Sequence, residues 1–504
     1  MDNFIIAVDI GTQGTKAILF DTDLNIIASA FEGSRLIRPK PGVVWQEADD
    51  ILSSCVNTLK SLSKQAGEKA KKVCAIGIDS QMAGIMGVAK DGLAATYYDS
   101  WLDTRCEPQM KAMREKAGQK VTAITGGPIT YTHGPKILWW KENEPQIYYN
   151  IAKFVLPHAY VVGRLASLNA DSFYFDYTCI QYSGFGDNKN LCWSDELLYL
   201  FGIDKNKLPR IVSPYEVVGR LNEEFAKLTC LPSGIPIIAG GGDTASSIFG
   251  SGIFDPGTLY DCAGTASVMC SVTDKYIPDT DTETLTMMRS PIDGYWFPLA
   301  YINGGGLCLR WVRDNFTGSP NVSYSVLEKE CESIPPGSEG LIFIPHFAGR
   351  VLPNNPYIRG SFAGLDWKHT RAHLFRASME GIAYEYHYYL SVLKSLYPNC
   401  NFSKMYAAGG GAKSALFNKI KADVLGVSVL PFEMSDAALV GSAVLAGLGT
   451  GLYDDYRVPI GNSMKISSEI KPDPDNTTAY EPYTKDYLKL IDTLTPYYAN
   501  TMLQ

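Results

Sequence analysis

Three glycine-bearing segments hold the residues with the most chemistry in this sequence. The first is Asp9-Ile10-Gly11-Thr12-Gln13-Gly14-Thr15-Lys16, a carboxylate at the end of an apolar run followed by glycines, hydroxyls and a lysine. Glycine lets the backbone come close to a ligand, and successive N–H groups in such a turn cradle an anion. Thr12, Thr15 and Lys16 can donate to phosphate oxygens, and an aspartate beside phosphates suits a hydrated magnesium ion. Taken alone, a plain β-hairpin with a glycine turn accounts for the segment as well.

The second segment is Gly240-Gly241-Gly242-Asp243-Thr244-Ala245-Ser246-Ser247. Asp243 can be read as the N-cap of the helical pattern that follows, or as a base that takes a proton from a hydroxyl nucleophile. The cap reading leaves the three glycines before it unaccounted for. The third segment, Ala407-Ala408-Gly409-Gly410-Gly411-Ala412-Lys413-Ser414, is not a Walker A loop, because Ala412 precedes Lys413-Ser414 and the earlier glycine of that motif is absent. It reads either as a turn against a flat ligand such as adenine or as an ordinary strand-to-helix connection leading toward Asn418.

These segments need strands and helices to hold them. Phe4 to Ile10 is a β-branched apolar run stopped by Gly11, and Lys16 to Asp21 makes a second strand before a turn at Asp21-Thr22-Asp23. Val73 to Ile78, Pro236 to Ala239, Leu341 to Pro345 and Lys404 to Ala408 read as buried strands that run into Gly, Asp or Pro. Helical patterns cover Asp49 to Leu62, Lys136 to Asn143, His369 to Leu396 and Ala437 to Leu448. Strands alternating with helices predict an α/β architecture.

A second glycine-bearing hairpin, Thr258 to Ser267, echoes the first, with Gly264 and Gly11 253 residues apart. The echo suggests duplication, with a boundary near Phe249 to Pro256 and two domains, 1–250 and 251–504. The length of 504 residues supports two large domains better than one core.

An apolar fraction of 46% with 19% charged residues excludes disordered and fibrous classes. Lys plus Arg at 45 against Asp plus Glu at 53 gives a net charge of −8 and no basic tract, which disfavours a nucleic-acid or anionic-membrane partner. No apolar run reaches membrane-spanning length, so the chain is expected in the cytoplasm. Its 11 cysteines include no Cys-x-x-Cys and read as reduced core thiols. His369 and His373 have i, i+4 metal-ligand spacing but lack a third ligand, and no Gly-x-Ser-x-Gly elbow is present.

Together the motifs resemble those of the FGGY carbohydrate kinases, and the resemblance runs from about residue 4 to about residue 453. Asp9 to Lys16 is similar to the family's first phosphate motif, Asp261 to Ser267 to its second, and Gly409 to Ser414 to its adenosine motif. The C-terminal signature is approximated by Gly360-x-Phe362-x-Gly364-Leu365 and, after seven residues, His373-Leu374-x-x-Ala377-Ser378-Met379-Glu380. The N-terminal signature is approximated around Lys136-Ile137-Leu138-Trp139, with His133 where Pro, Ser or Thr is usual.

The resemblance implies two actin-like (ribonuclease H-like) ATPase domains with a cleft between them, ATP and Mg2+ as cofactors, and phosphorylation of a terminal hydroxyl of a small sugar. Asp243 is the implied base. Gln81, Met82, Trp101, Asp103 and Asp243 are the implied sugar contacts. Asp9, Gly11, Thr12, Gln13, Thr15, Lys16, Gly264, Thr265, Gly409, Gly410, Gly411, Ala412 and Asn418 are the implied nucleotide contacts. Asp9 and Asp243 are the implied metal residues. The nearest look is to xylulokinases, whose sugar-contacting Met-His pair stands here as Met82-Ala83 and whose Trp-x-Asp-x-Arg is Trp101-Leu102-Asp103-Thr104-Arg105. Losing the imidazole removes a hydrogen-bond partner for a sugar hydroxyl and counts against xylulose itself. The resemblance implies a xylulose-like ketose, with a polyol such as erythritol or another sugar of the same family, or a non-catalytic nucleotide-binding actin-like protein, as alternatives. The expected partners are the sugar or polyol and ATP, with no nucleic acid, no membrane, and a homodimer as the one assembly left open.

Overall fold

The computed structural model describes residues 3–316, 322–433 and 436–502. The chain divides into two compact units, one made of Met1–Gly252, Met287–Trp296 and Met434–Met464, the other of Ile253–Thr286, Phe297–Glu433 and Lys465–Gln504.

The first unit is built on a mixed sheet. β1 (Phe4–Ile10) pairs antiparallel with β2 (Gly14–Asp21), which pairs with β3 (Ile26–Gly33). Helix α1 (Ala48–Ala66) packs on this hairpin through Ile51, Cys55, Leu59 and Leu62, spaced to form one apolar face. β4 (Val73–Ser80) lies parallel to β1, and both are buried along nearly their whole length, as expected of central strands covered on both faces. β5 (Val217–Arg220), β6 (Pro236–Ile238) and the short β7 (Gly241–Gly242) complete the sheet beside β4, and α2 (Asp243–Gly250) follows directly.

A late segment finishes this unit. The helix Ala437–Gly449 packs on α2 so closely that a Cβ at Gly441 would stand 2.1 Å from the Ser246 carbonyl oxygen. Only glycine permits that approach. This contact places residues 434–464 with the first unit, so a simple cut at residue 250 does not describe the packing.

In the second unit β8 (Leu259–Ala263) and β9 (Ser267–Ser271) form an antiparallel hairpin. β9 pairs with β10 (Trp296–Ile302), while β8 lies parallel to β11 (Lys404–Ala408), which pairs with β12 (Ser428–Glu433). The helices α3 (Gly305–Phe316), α4 (Arg371–Leu396) and α5 (Ala415–Leu425) belong to this unit, as does the C-terminal α6 (Pro474–Met502). A central strand with an antiparallel hairpin partner on one side and a parallel strand on the other occurs in both units, as the sequence echo suggested. Among the described residues no helix is long and apolar enough to cross a membrane.

Candidate functional site

In the first unit, carboxylates gather at the ends of adjacent strands. Asp9 and Asp79 are register partners on β1 and β4, and Gly241 of β7 pairs with Asp79, which leaves Asp243 two residues farther along as the first residue of α2. Strand ends of this kind are where α/β sheets collect their ligand groups. Gly242 takes the N-cap position, so Asp243 is not the cap of its helix.

The electrostatics follow from this crowding. Burial, and then the nearby Asp9 charge, push the Asp243 carboxyl up to about 7, while Thr244 opposes the shift by donating its N–H (2.5 Å) and its hydroxyl (3.1 Å) to Asp243 Oδ1. Burial and the charge of Asp9 also hold Asp79 well above the carboxylate range, and burial raises Asp9. Ser442 of the helix Ala437–Gly449 donates to Asp79 Oδ2. Asp9 Oδ1 and Asp79 Oδ1 are buried without a hydrogen-bond donor.

Lys16, the register partner of Asp9, forms an ion pair with Asp436. Among the described residues no three Asp, Glu, His or Cys side chains come close enough together to hold a metal ion. The unpartnered oxygen of Asp9 nevertheless suits a cation that keeps most of its own water shell.

The loop residues separate into two groups. Thr12 donates to Gln81 Oε1 at 3.1 Å and accepts from Trp101 Nε1 at 2.9 Å, while Gln81 donates to Gln46 at 2.6 Å. Trp101, Thr12 and Gln81 are therefore tied together beside Asp9. Met82 lies against the glycine turn, where a Cβ at Gly242 would fall 2.4 Å from its sulfur. Ala83 adopts a left-handed φ of 64°, a conformation uncommon outside glycine. Gln13 is exposed, and its carbonyl accepts from Ser34 N.

Two of the expected contact residues are engaged within the protein. Thr15 is buried and accepts from Ser54 Oγ of α1 at 2.8 Å, because β-strand alternation turns it toward the helix. Asp103 is fully buried and accepts from Val44 N at 2.7 Å and from the Arg105 backbone N–H and guanidinium at 2.7–3.0 Å. Its oxygens are committed to structure. Arg105 in turn lies over Trp45, Tyr97 and Trp139, and Lys136 donates to the Asp103 carbonyl at 2.6 Å, so this motif holds the loop that carries Trp101.

In the second unit, a cavity of about 560 Å3 brings together Gly264 and Thr265 of the hairpin with Gly410, Gly411 and Ser414 of the third glycine segment. Gly409 has a left-handed φ of 78°, and Gly410–Lys413 form one tight turn before Ser414 caps α5 by accepting from Phe417 N. Buried Asn418 donates to the Ala412 carbonyl at 2.7 Å and so clamps this turn, with its own Oδ1 unpartnered. Asp261, the counterpart of Asp9, is consumed by Lys421 and by Tyr386 Oη at 2.7 Å.

The sequence reading missed Asp79, and it missed Arg310, Glu328 and Phe375, which line the cavity. The triplet Gly304-Gly305-Gly306 at the start of α3 was the available signal for Arg310. His369 accepts the Asp366 N–H in the turn before α4, and His373 accepts the Thr370 N–H as part of the capping box that starts α4.

The pattern of the FGGY family of carbohydrate kinases matches in two parts, its N-terminal domain over residues 4–250 and its C-terminal domain over 259–450. The gluconokinase of Bacillus subtilis (strain 168) is 27% identical over 469 residues, covering 90% of this chain and 89% of that protein. The xylulose kinase of the same organism is 27% identical over 480 residues, covering 95% and 94%. The crystal structure of gluconate kinase from Lactobacillus acidophilus superposes with a TM-score of 0.92 at 24% identity, covering 99% of this chain and 100% of that one.

Proposed function

Because this chain belongs to the FGGY family of carbohydrate kinases, we propose that Asp243 is the base that deprotonates a sugar hydroxyl for attack on the γ-phosphate of ATP. The observation that supports this is the carboxyl pushed up to about 7 at the head of α2, a value suited to accepting a proton near neutral pH. Thr244 orients the acceptor through its two donors, and the turn at Gly240–Gly242 admits the alcohol close to the backbone. Gln81, Met82 and Trp101 form the sugar's wall.

The nucleotide occupies the second unit's cavity. Gly264, Thr265, Gly410 and Gly411 approach it by backbone, Phe375 and Phe417 supply flat apolar surface for the base, and Arg310 answers phosphate charge. Asp9 is the residue that would hold a hydrated Mg2+, with Asp243 nearby, and the ion would neutralise phosphate charge as it develops. Positioning and charge compensation carry most of the rate in phosphoryl transfer.

The acceptor is a neutral xylulose-like ketose or a polyol. Relatives named gluconokinase and xylulose kinase match this chain at the same 27% identity, so kinship does not choose between them. Charge does favour one side. The Asp9 charge already raises the proton affinity of both Asp79 and Asp243, Asp243 adds to that of Asp79, Lys16 is committed to Asp436, and Arg105 is committed to Asp103. A gluconate carboxylate here meets repulsion that a neutral sugar avoids. ADP release measured with D-xylulose, erythritol, glycerol and D-gluconate at equal MgATP tests this. Turnover highest with D-gluconate rejects the charge argument, and ADP release independent of any added sugar rejects phosphoryl transfer to carbohydrate.

A further inference from the structure

Beneath the glycine turn lies a buried polar chain that none of the proposed catalytic steps uses. The Gly242 N–H donates to Thr178 Oγ1 at 2.9 Å, and the Thr178 hydroxyl donates to Asp176 Oδ1. Asp176 Oδ1 also accepts the Thr178 N–H at 2.9 Å. On the other side of this carboxylate, His158 Nε2 stands 3.1 Å from Asp176 Oδ2. His158 Nδ1 meets Ser80 Oγ at 2.7 Å, and Ser80 is the register partner of Gly242 across β4 and β7. The loop closes on itself.

All four side chains are buried, with relative exposures of 0 to 1%. An ionisable pair so far from water is costly to keep and stands only where its partners are fixed. A local capping role explains the Asp176 bond to the Thr178 N–H, but not the His158 contact or the Gly242 bond. A second anchor lies at the other end of the turn, where Tyr174 Oη donates to the Ala239 carbonyl at 2.8 Å. The two anchors bracket Gly240 and Gly241. Gly240 has a left-handed φ of 75° and passes so near β4 that a Cβ there would stand 1.6 Å from the Ile78 carbonyl oxygen. Glycines lend the turn its conformation but no rigidity of their own.

We propose that Thr178, Asp176 and His158 form a positioning chain that fixes the turn Ala239–Gly242 and thereby sets where Asp243 stands. The inference rests on the reading of Asp243 as the base. Misplacement of a reacting group by about 1 Å can cost ~10²-fold in rate, which is the scale on which such anchors matter.

Thr178→Val keeps the volume but removes both the acceptor for Gly242 N–H and the donor to Asp176. Amide hydrogen exchange over residues 239–244 should rise ~10-fold or more. The kcat with D-xylulose and MgATP should fall ~10-fold while KM for ATP stays within about twofold. Thr178→Ser restores both. Tyr174→Phe, which releases only the anchor at Ala239, should show the same pattern on a smaller scale and serves if the valine variant does not fold. Unchanged exchange in the variants that fold, or faster exchange with unchanged kcat, overturns the proposal. Asp243→Asn separates the two readings. If it retains turnover, the base assignment fails while the exchange data still report on the anchor. If it is inactive and the Thr178 and Tyr174 variants behave as wild type, only the positioning chain fails.

Discussion

Asp243→Asn distinguishes a base from a helix-end residue because the two roles predict different changes in activity and in stability. Folding raises the carboxyl from 3.8 to about 7. At about 1.4 kcal/mol per pH unit, the ionised form is disfavoured by roughly 4 kcal/mol. Part of Asp243 reaches solvent, so screening reduces the working figure to about 2 kcal/mol. The folded state keeps a proton that the unfolded chain has released between those two values. Stability therefore falls as pH climbs from about 4 to about 7 and stays lower above that.

Asparagine carries no charge at any pH and escapes the penalty. At about pH 8 the variant should melt roughly 4–8 °C above wild type, at about 2–4 °C per kcal/mol for a unit of this size, and the gain should vanish below about pH 4. Turnover should drop ~10²-fold. In wild type, kcat/KM for the sugar should decline about tenfold per pH unit below about pH 7, as the base becomes protonated. Differential scanning fluorimetry across pH and a coupled ADP assay measure all three quantities. A variant with normal turnover, or one no more stable than wild type at about pH 8, or a level kcat/KM through that acidic range, refutes the reasoning.

Asp103→Asn removes the closer of two carboxylates paired with the largely buried Arg105 guanidinium, which keeps Asp99 at 3.3 Å and Tyr97 Oη at 2.6 Å. The cost should be about 1–3 kcal/mol of stability, read as a loss of melting temperature, rather than a selective rise in KM for sugar. Arg310→Ala removes a cation from the wall of the second unit's cavity. KM for ATP should rise ~10-fold or more, the scale of one charge-assisted hydrogen bond, with KM for sugar unchanged, and an unaltered KM for ATP rejects the assignment of that cavity.

Much of the architecture was legible because the strands that carry the ligand loops are short apolar runs cut off by glycine, a pattern with one physical reading. β1, β4 and β11 were placed within two residues of their observed ends. What the sequence hid was direction and distance. Thr15 sits in a phosphate-like motif, yet the side of β2 it occupies depends on the strand's register with α1, which composition does not reveal. Asp103 belongs to a sugar-binding pattern, but one of its donors is the Val44 N–H, 59 residues away. Asp79 looked like the end of a core strand, and its partner Ser442 lies 363 residues farther on. Residues 434–464 were assigned to the C-terminal half because nothing local in a helix of small residues says which neighbour it will meet.

The helix Ala437–Gly449 has a consequence for how the molecule comes into being. During synthesis the first 252 residues leave the ribosome long before the piece that covers α2 and supplies the hydroxyl for Asp79. Until then, apolar surface along β1, β4 and α2 waits unprotected. The nascent N-terminal half is thus an unfinished object, and a gene fragment ending near residue 250 should yield protein that clumps, whereas supplying residues 434–464 on the same polypeptide through a short linker should rescue it.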